Sequence, residues 1–134
     1  MIARNKLKRL SNDVKRYLFV ACLATITVLS ILPDSAERGY EMPHLTESGF
    51  FMHLFAYFTA SFLGYSAFRS KGQLAVFLAI FSSALEWLQL FISYRTFNYW
   101  DMAANFSGII LLFATAAIVN RLNQNHYIEE KSSA

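Results

Sequence analysis

Apolar residues lie in four long blocks along this chain rather than in narrow amphipathic stripes. The blocks run from Tyr17 to Leu32, Phe50 to Phe68, Leu74 to Ile92 and Ala103 to Val119. A helix needs roughly 20 apolar residues, within a range of about 17 to 25, to cross the hydrocarbon core of a bilayer. The two middle blocks have that length, and the two outer blocks reach it when flanking residues are included. The pattern therefore predicts four transmembrane helices, over about residues 17–33, 50–68, 74–92 and 102–120.

Composition supports the same class of protein. The chain has 134 residues, of which 55% are hydrophobic and 16% are charged, so it is more apolar than an ordinary soluble domain. A soluble chain of this length could not cover so much apolar surface in one core. We therefore expect a single all-α domain over residues 1–134, built as a four-helix membrane bundle. For the first block a cleaved signal peptide is the alternative, although no small-x-small cleavage site follows it.

The basic residues are distributed unevenly between the two ends of the predicted helices. Ten of the twelve lie before the first helix, after the second helix or in the tail, and only Arg38 and Arg95 lie in the other two loops. By the positive-inside rule, residues 1–16 form a basic cytoplasmic N-terminus and residues 121–134 form a cytoplasmic tail. The net charge of +3 follows from this bias and calls for no nucleic-acid partner.

Polar side chains interrupt the last three blocks near the predicted outer end of each helix. His53 lies about one turn into the second helix, and Glu86 lies roughly 9 Å below the outer end of the third helix at 1.5 Å per residue. Spacings of three or four positions place polar neighbours on one face of each helix. We therefore predict one ligand-binding pocket in the outer leaflet. Its candidate residues are His53, Tyr57, Glu86, Gln89, Arg95, Asp101 and Asn105.

Each charged candidate also has a structural interpretation. An ionisable residue within a spanning helix is costly and marks a functional site by default, but Glu86 could instead tie helices together, either neutral or paired with Arg95. His53 could be an interfacial histidine with a satisfied hydrogen bond. Asp101 could be the first-turn acid that the helix dipole favours. Arg95 could be an interfacial anchor, or the cation that holds an anionic headgroup.

Three segments together resemble the VanZ-like family of small bacterial membrane proteins. They are "HLFAYF", "EWLQLFISYR" and "DMAANFSG", and the resemblance covers about residues 44–119. The shared pattern is a histidine and a tyrosine, then Glu-x-x-Gln with a nearby arginine, then Asp-x-x-x-Asn-x-x-Gly. Here it falls on His53, Tyr57, Glu86, Gln89, Arg95, Asp101, Asn105 and Gly108. Many members carry an Asp-Lys pair where this chain has Gly49 and Phe50, so a role that needs this lysine is not implied here.

The resemblance implies a multi-pass protein of the bacterial inner membrane with both termini in the cytoplasm. The family takes its name from an accessory protein of glycopeptide resistance, associated with low-level resistance to teicoplanin-type antibiotics. Its members also occur without resistance genes, so the resemblance implies a role at the cell envelope rather than resistance itself.

Two functions remain open on this evidence. In the first, the protein is not an enzyme and binds the headgroup of an envelope lipid or a lipid-linked glycan, with Arg95 on a phosphate and Tyr57, Gln89 and Asn105 on other polar atoms. In the second, a small intramembrane enzyme acts on lipid-linked phosphate or glycan, with His53 or Glu86 as general base and Asp101 as orienting acid. Because the sequence offers no clear nucleophile–base pair, binding is favoured.

Cofactors and protein partners complete the expectations. The spacing of His53, Glu86 and Asp101 matches no common set of metal ligands, so we expect neither a metal ion nor another cofactor. Small residues repeat every four positions at Ala56, Ala60 and Gly64, a pattern that permits close helix contact in a bilayer. They make a homo-oligomer or a larger membrane complex plausible.

Overall fold

The chain folds as a bundle of helices. The computed structural model describes residues 2–32, 45–93, 95 and 97–132. Within these residues there are four helices and no strand. They are α1 (Ile2–Ile31), α2 (Leu45–Ala67), α3 (Lys71–Gln89) and α4 (Tyr99–Ser132). The predicted all-α class is confirmed, and the helices follow the order of the four apolar blocks.

The ends of the helices differ from the prediction. Helix α1 begins at Ile2 rather than near residue 17, and α4 continues to Ser132 rather than ending near residue 120. Helix α3 begins and ends three residues earlier than expected, so the segment from Leu90 to Ser93 forms a turn. The apolar blocks mark only the part of a helix that avoids water. Their polar extensions contain Lys, Arg, Gln and Glu, which have good helix propensity and continue the same helices.

By length and apolar composition, two of the described helices could cross a membrane. They are the segments Ser11–Ile31 of α1 and Tyr99–Ile128 of α4. The sequence pattern predicts four spanning helices, of which the two middle ones reach the required length without flanking residues. Strongly polar side chains within the apolar blocks, His53 in α2 and Glu86 and Gln89 in α3, lower the average hydropathy of these two segments. The interior polar residues of α2 and α3 are Ser61, Ser82, Glu86 and Gln89.

Helix α2 is the centre of the bundle and packs against α1, α3 and α4. The core is formed by Phe19, Ile26, Tyr57, Ala60, Leu74, Leu78, Leu85 and Ile109. The closest approach joins α2 to α4 at Gly108. A Cβ atom added to Gly108 would lie 2.3 Å from the carbonyl oxygen of Leu54 and 2.9 Å from the backbone nitrogen of Phe58. Only glycine lets these two backbones touch.

The surface of the bundle is apolar, while several polar side chains are inside. Large apolar residues are exposed on all four helices, among them Leu18, Phe55, Phe62, Val76, Ile80 and Ile110. The buried polar residues include Glu86 and Asn105, each only 1% exposed. A soluble protein rarely exposes contiguous apolar surface on this scale. The distribution is consistent with a membrane protein, because hydrocarbon rather than water is the favourable solvent for such a surface.

A three-residue turn, 68–70, joins α2 to α3 and makes them antiparallel. The ammonium group of Lys71 donates hydrogen bonds to the backbone carbonyls of Tyr65 and Phe68, and it lies 4.0 Å from the centre of the Tyr65 ring. These bonds satisfy carbonyls at the end of α2 that lack a partner within the helix. The tight turn brings the beginning of α2 close to the end of α3, where the candidate residues lie.

Candidate functional site

Four polar side chains from three helices meet at one end of the bundle. The Nδ1 atom of His53 on α2 lies 3.0 Å from the Oδ1 atom of Asn105 on α4. The Nδ2 atom of Asn105 donates a hydrogen bond of 3.2 Å to the Oε1 atom of Glu86 on α3. On the other side of the ring, the Nε2 atom of His53 lies 3.7 Å from the Oδ2 atom of Asp101. We call these four residues, Asp101, His53, Asn105 and Glu86, the polar network.

Local structure at the beginning of α4 places two members of the network. The backbone N–H of Trp100 donates to the Oδ1 atom of Asn98 at 3.0 Å, so Asn98 caps the helix. Asp101 follows in the first turn, where the helix dipole favours a negative charge. Asn105 lies four residues later and therefore on the same face. Asp101 is thus both the first-turn acid of α4 and a neighbour of His53.

Exposure falls steeply along the polar network. The side chain of Asp101 is 23% exposed, that of His53 is 26% exposed and that of Glu86 is 2% exposed. Asn105 is buried between His53 and Glu86. The network thus has an accessible rim, formed by Asp101 and His53, and a buried end, formed by Asn105 and Glu86.

The directions of the hydrogen bonds follow from the chemistry of the groups. An amide oxygen only accepts, so the Nδ1 atom of His53 is the donor to Asn105. The amide nitrogen of Asn105 in turn donates to Glu86. The Nε2 atom of His53 faces Asp101 at 3.7 Å, which is longer than a hydrogen bond. Carboxyl groups therefore stand at both ends of the network, and its rim is rich in acceptors.

Two buried oxygens have no hydrogen-bond partner among the described residues. They are the Oε2 atom of Glu86, within the network, and the hydroxyl oxygen of Ser61, about two turns along α2 from His53. Tyr57, which is 2% exposed, lies beside Ser82 and Glu86. Buried polar atoms in proteins nearly always have a partner, so these oxygens are suited to hold a water molecule or a polar atom of a ligand. Sequence analysis missed Ser61, although its position four residues after Tyr57 indicates a shared face.

Arg95 lies apart from the hydrogen bonds of the polar network. Its Nη2 atom donates to the carbonyl of Leu29 at 3.0 Å, and its Nε atom donates to the carbonyl of Ser30 at 3.3 Å. These carbonyls belong to the last turn of α1, where the negative end of the helix dipole attracts a cation. Arg95 therefore joins the loop after α3 to the end of α1, in addition to any contact with a ligand.

The remaining candidate, Gln89, is 5% exposed and lies three residues after Glu86 on α3. It is thus on the same buried face, one turn nearer the end of the helix. The amide faces the interior rather than the surrounding solvent. The structure therefore brings His53, Glu86, Asp101 and Asn105 into direct contact, and places Tyr57 and Gln89 beside Glu86.

Metal binding is not supported by the geometry. In the part of the chain that the structure describes, no group of three or more His, Cys, Asp or Glu side chains could hold a metal ion. Within the polar network the reason is visible. Asp101 approaches one nitrogen of the His53 ring while Glu86 approaches the other, at 4.0 Å, so the three groups do not converge on one point.

Comparison with known proteins adds no relative. No family model, no curated protein and no solved structure matches this chain. The function is therefore argued from the arrangement of its own side chains.

Proposed function

We propose that this chain is a VanZ-like integral membrane protein in which all four helices cross the bilayer, and in which the polar network binds the headgroup of an envelope lipid or a lipid-linked glycan. One observation carries the proposal. Three helices with apolar outer surfaces bring a partly exposed His–Asp pair and a buried acid together at one end of the bundle. An intramembrane ionisable group is costly, and function is its usual explanation.

The apolar outer faces of α2 and α3 support four spans. Phe55 and Phe62 of α2 are 71% and 58% exposed, and Val76 and Ile80 of α3 are 60% and 64% exposed. Ser61, Ser82, Glu86 and Gln89 of these helices are buried, so between the helix ends a surrounding bilayer meets mainly apolar side chains. Helix α3 has 19 residues and is about 28 Å long at 1.5 Å per residue, close to the roughly 30 Å of a hydrocarbon core. Average hydropathy underestimates the tendency of such helices to span a membrane, because the average includes buried residues that never touch lipid.

The rim of the network is where a headgroup binds. The gap of 3.7 Å between the Nε2 atom of His53 and the Oδ2 atom of Asp101 is too long for a direct hydrogen bond, but a hydroxyl or ammonium group can lie within hydrogen-bond distance of both. The carboxylate of Asp101 accepts from that group, in a charge-assisted bond. Asn105 and Glu86 fix the orientation of the imidazole from the buried side. Sugar hydroxyls, glycerol hydroxyls and amino groups of envelope lipids have the required chemistry.

Catalysis is the second candidate, and the contact between Asp101 and His53 is the observation that favours it. An acid that orients a histidine is a common arrangement in general-base catalysis. In this structure, however, one ring nitrogen donates to Asn105 and the other faces Asp101. In a catalytic arrangement the acid holds one ring nitrogen and leaves the other free to take a proton, whereas here Asp101 faces the Nε2 atom, the same nitrogen that would take it. Binding fits this geometry better than general-base catalysis does.

Lipid retention by the purified protein tests the proposal. Wild-type protein and variants are extracted from the membrane in a mild detergent, and the bound lipids are identified and counted by native mass spectrometry. We expect wild-type protein to retain an envelope lipid, and Asp101→Asn to retain roughly tenfold less, because a charge-assisted hydrogen bond contributes about 1.5–3 kcal/mol. The matched control is Asp13→Asn, which makes the same change on α1 at a side chain that is 45% exposed. Equal retention by both variants would refute headgroup binding at this site.

Glu86→Gln separates a role in binding from a role in helix packing. The glutamine keeps the shape of the side chain and still accepts the hydrogen bond from Asn105, but it cannot ionise. We expect normal accumulation in the membrane together with reduced lipid retention, because the charge behind His53 is lost. Normal retention by this variant would leave Glu86 as a structural residue. In cells, the gene is deleted and the strain is complemented with each variant. The measurement is the susceptibility of each strain to a teicoplanin-type antibiotic.

A further inference from the structure

A second candidate site lies at the opposite end of the bundle from the polar network. There, a cleft of about 340 Å³ opens between α1, the turn from α2 to α3, and α3. Three phenyl rings form its walls. The ring of Phe19 lies 5.3 Å from that of Phe68 and 6.4 Å from that of Phe77. The interior of the cleft is thus apolar and large enough for part of a hydrocarbon chain.

Gly64 of α2 sets the position of two side chains at this cleft. A Cβ atom at Gly64 would lie 2.8 Å from Cε2 of Phe19 and 2.8 Å from Cδ1 of Leu74. Both side chains therefore pack directly on the backbone of α2. These two buried side chains therefore form the floor of the cleft.

The mouth of the cleft is polar and basic. Arg69, Ser70 and Gln73 line it, and all three side chains are exposed. On α1, Lys15 and Arg16 precede Phe19 by four and three positions, so they lie one turn nearer the same end. Arg16 is 57% exposed and pairs with Asp13 at 3.8 Å, which offsets part of its charge. Cationic and hydrogen-bonding groups thus surround the opening of an apolar cleft.

We propose that this cleft binds an anionic phospholipid. The guanidinium group of Arg69 holds the phosphate in a charge-assisted contact, and the hydroxyl of Ser70 and the amide of Gln73 donate to the phosphate oxygens. One acyl chain lies along the apolar surface formed by Phe68, Phe77 and the buried Phe19. In the proposed orientation this end of the bundle faces the cytoplasm, on the side where basic segments attract anionic lipids. The proposal rests on the proposed membrane topology, and it is independent of headgroup binding at the other end.

Charge and shape together select this ligand. A free phosphate ion would use only the basic mouth and would leave the phenyl-lined interior in contact with solvent. A zwitterionic lipid would fill the interior but would bring a second, positive charge towards Arg69. A phospholipid with net negative charge matches both parts of the cleft.

The test compares phospholipids with identical acyl chains on the detergent-solubilised full-length protein. Phosphatidylglycerol and phosphatidylcholine are titrated separately, and binding is measured by native mass spectrometry. We expect Arg69→Gln to weaken phosphatidylglycerol binding roughly tenfold, the effect of losing one charge-assisted bond. The control Arg121→Gln removes the same charge from an exposed position of α4 outside the cleft, and should change binding less than about twofold. Phe77→Ala, at a half-exposed side chain, should weaken binding of both lipids.

Three results would overturn the proposal. They are equal phosphatidylglycerol binding by the Arg69 and Arg121 variants, equal binding of the two lipids to wild-type protein, and displacement of the lipid by millimolar glycerol phosphate. The last result would indicate a simple anion site at the mouth. Because Asp101→Asn leaves this cleft intact, it should bind phosphatidylglycerol normally. Failure at one end of the bundle is therefore distinguishable from failure at the other.

Discussion

Replacing Gly108 by alanine tests the link between helix packing and the polar network. The added Cβ atom would lie 2.3 Å from the carbonyl oxygen of Leu54, whereas ordinary van der Waals contact begins at 3.4 Å. The two helices must therefore separate by about 1.1 Å, the difference between these distances. No side-chain rotation can relieve the overlap, because Leu54 and Phe58 contribute backbone atoms of a regular helix.

The cost of Gly108→Ala has two parts. Overpacking of a close contact costs about 1–3 kcal/mol. In addition, the hydrogen bond between His53 and Asn105 lies next to this contact, because His53 precedes Leu54 and Asn105 lies one turn before Gly108. The same separation of the helices lengthens the distance between Nδ1 of His53 and Oδ1 of Asn105 from 3.0 Å to about 4 Å, which breaks the hydrogen bond. This loss adds about 0.5–1.5 kcal/mol. We expect the free energy of unfolding to fall by about 1.5–4.5 kcal/mol in total.

Unfolding in mixed detergent micelles, titrated with dodecyl sulfate and followed by circular dichroism, measures this change. The matched control is Gly72→Ala, because a Cβ atom at Gly72 meets no atom within 4 Å. That variant should be as stable as wild-type protein, or more stable by up to about 1 kcal/mol, given the helix propensity of alanine. Lipid retention at the polar network should fall for Gly108→Ala alone. If the two variants unfold at the same detergent fraction, the tight contact between α2 and α4 is not a determinant of stability and the reasoning is wrong.

Two further predictions concern the loop after α3 and the orientation of the bundle. Arg95→Gln should lower the free energy of unfolding by about 1–2 kcal/mol in the same titration, because it leaves carbonyls at the end of α1 without their donor. The control Arg121→Gln should have little effect. Equal stability of the two variants would contradict the role of Arg95 in joining the loop to α1. After Cys22→Ala removes the native thiol, a single cysteine in place of Ser93 should react with a membrane-impermeant reagent on intact cells, and one in place of Ser70 only after permeabilisation. Labelling of the Ser70 position from outside would overturn the proposed orientation.

The sequence by itself determined the helical class and the approximate place of each helix. Long blocks of apolar residues separated by short polar segments indicate where helices begin and end. Each apolar block must be covered by protein or by lipid over its whole length, and a helix is the structure that allows this in a bilayer. Periodicity also indicated which polar residues share a face, as with Asp101 and Asn105, since the geometry of one helix fixes spacings of three and four. The glycine at position 108 was visible as part of a pattern, but its role was not.

Tertiary structure alone decided which helix faces meet and which groups become partners. His53 and Asn105 are separated by 52 positions, and Arg95 is separated from Ser30 by 65. Spacing within a helix says nothing about its rotation relative to another helix. That rotation depends on where two backbones can approach closely, here at Gly108, and on how the side chains around the contact fit together. The order of the polar network and the contact of Arg95 with α1 follow from this packing, so they could be described only once the helices were assembled.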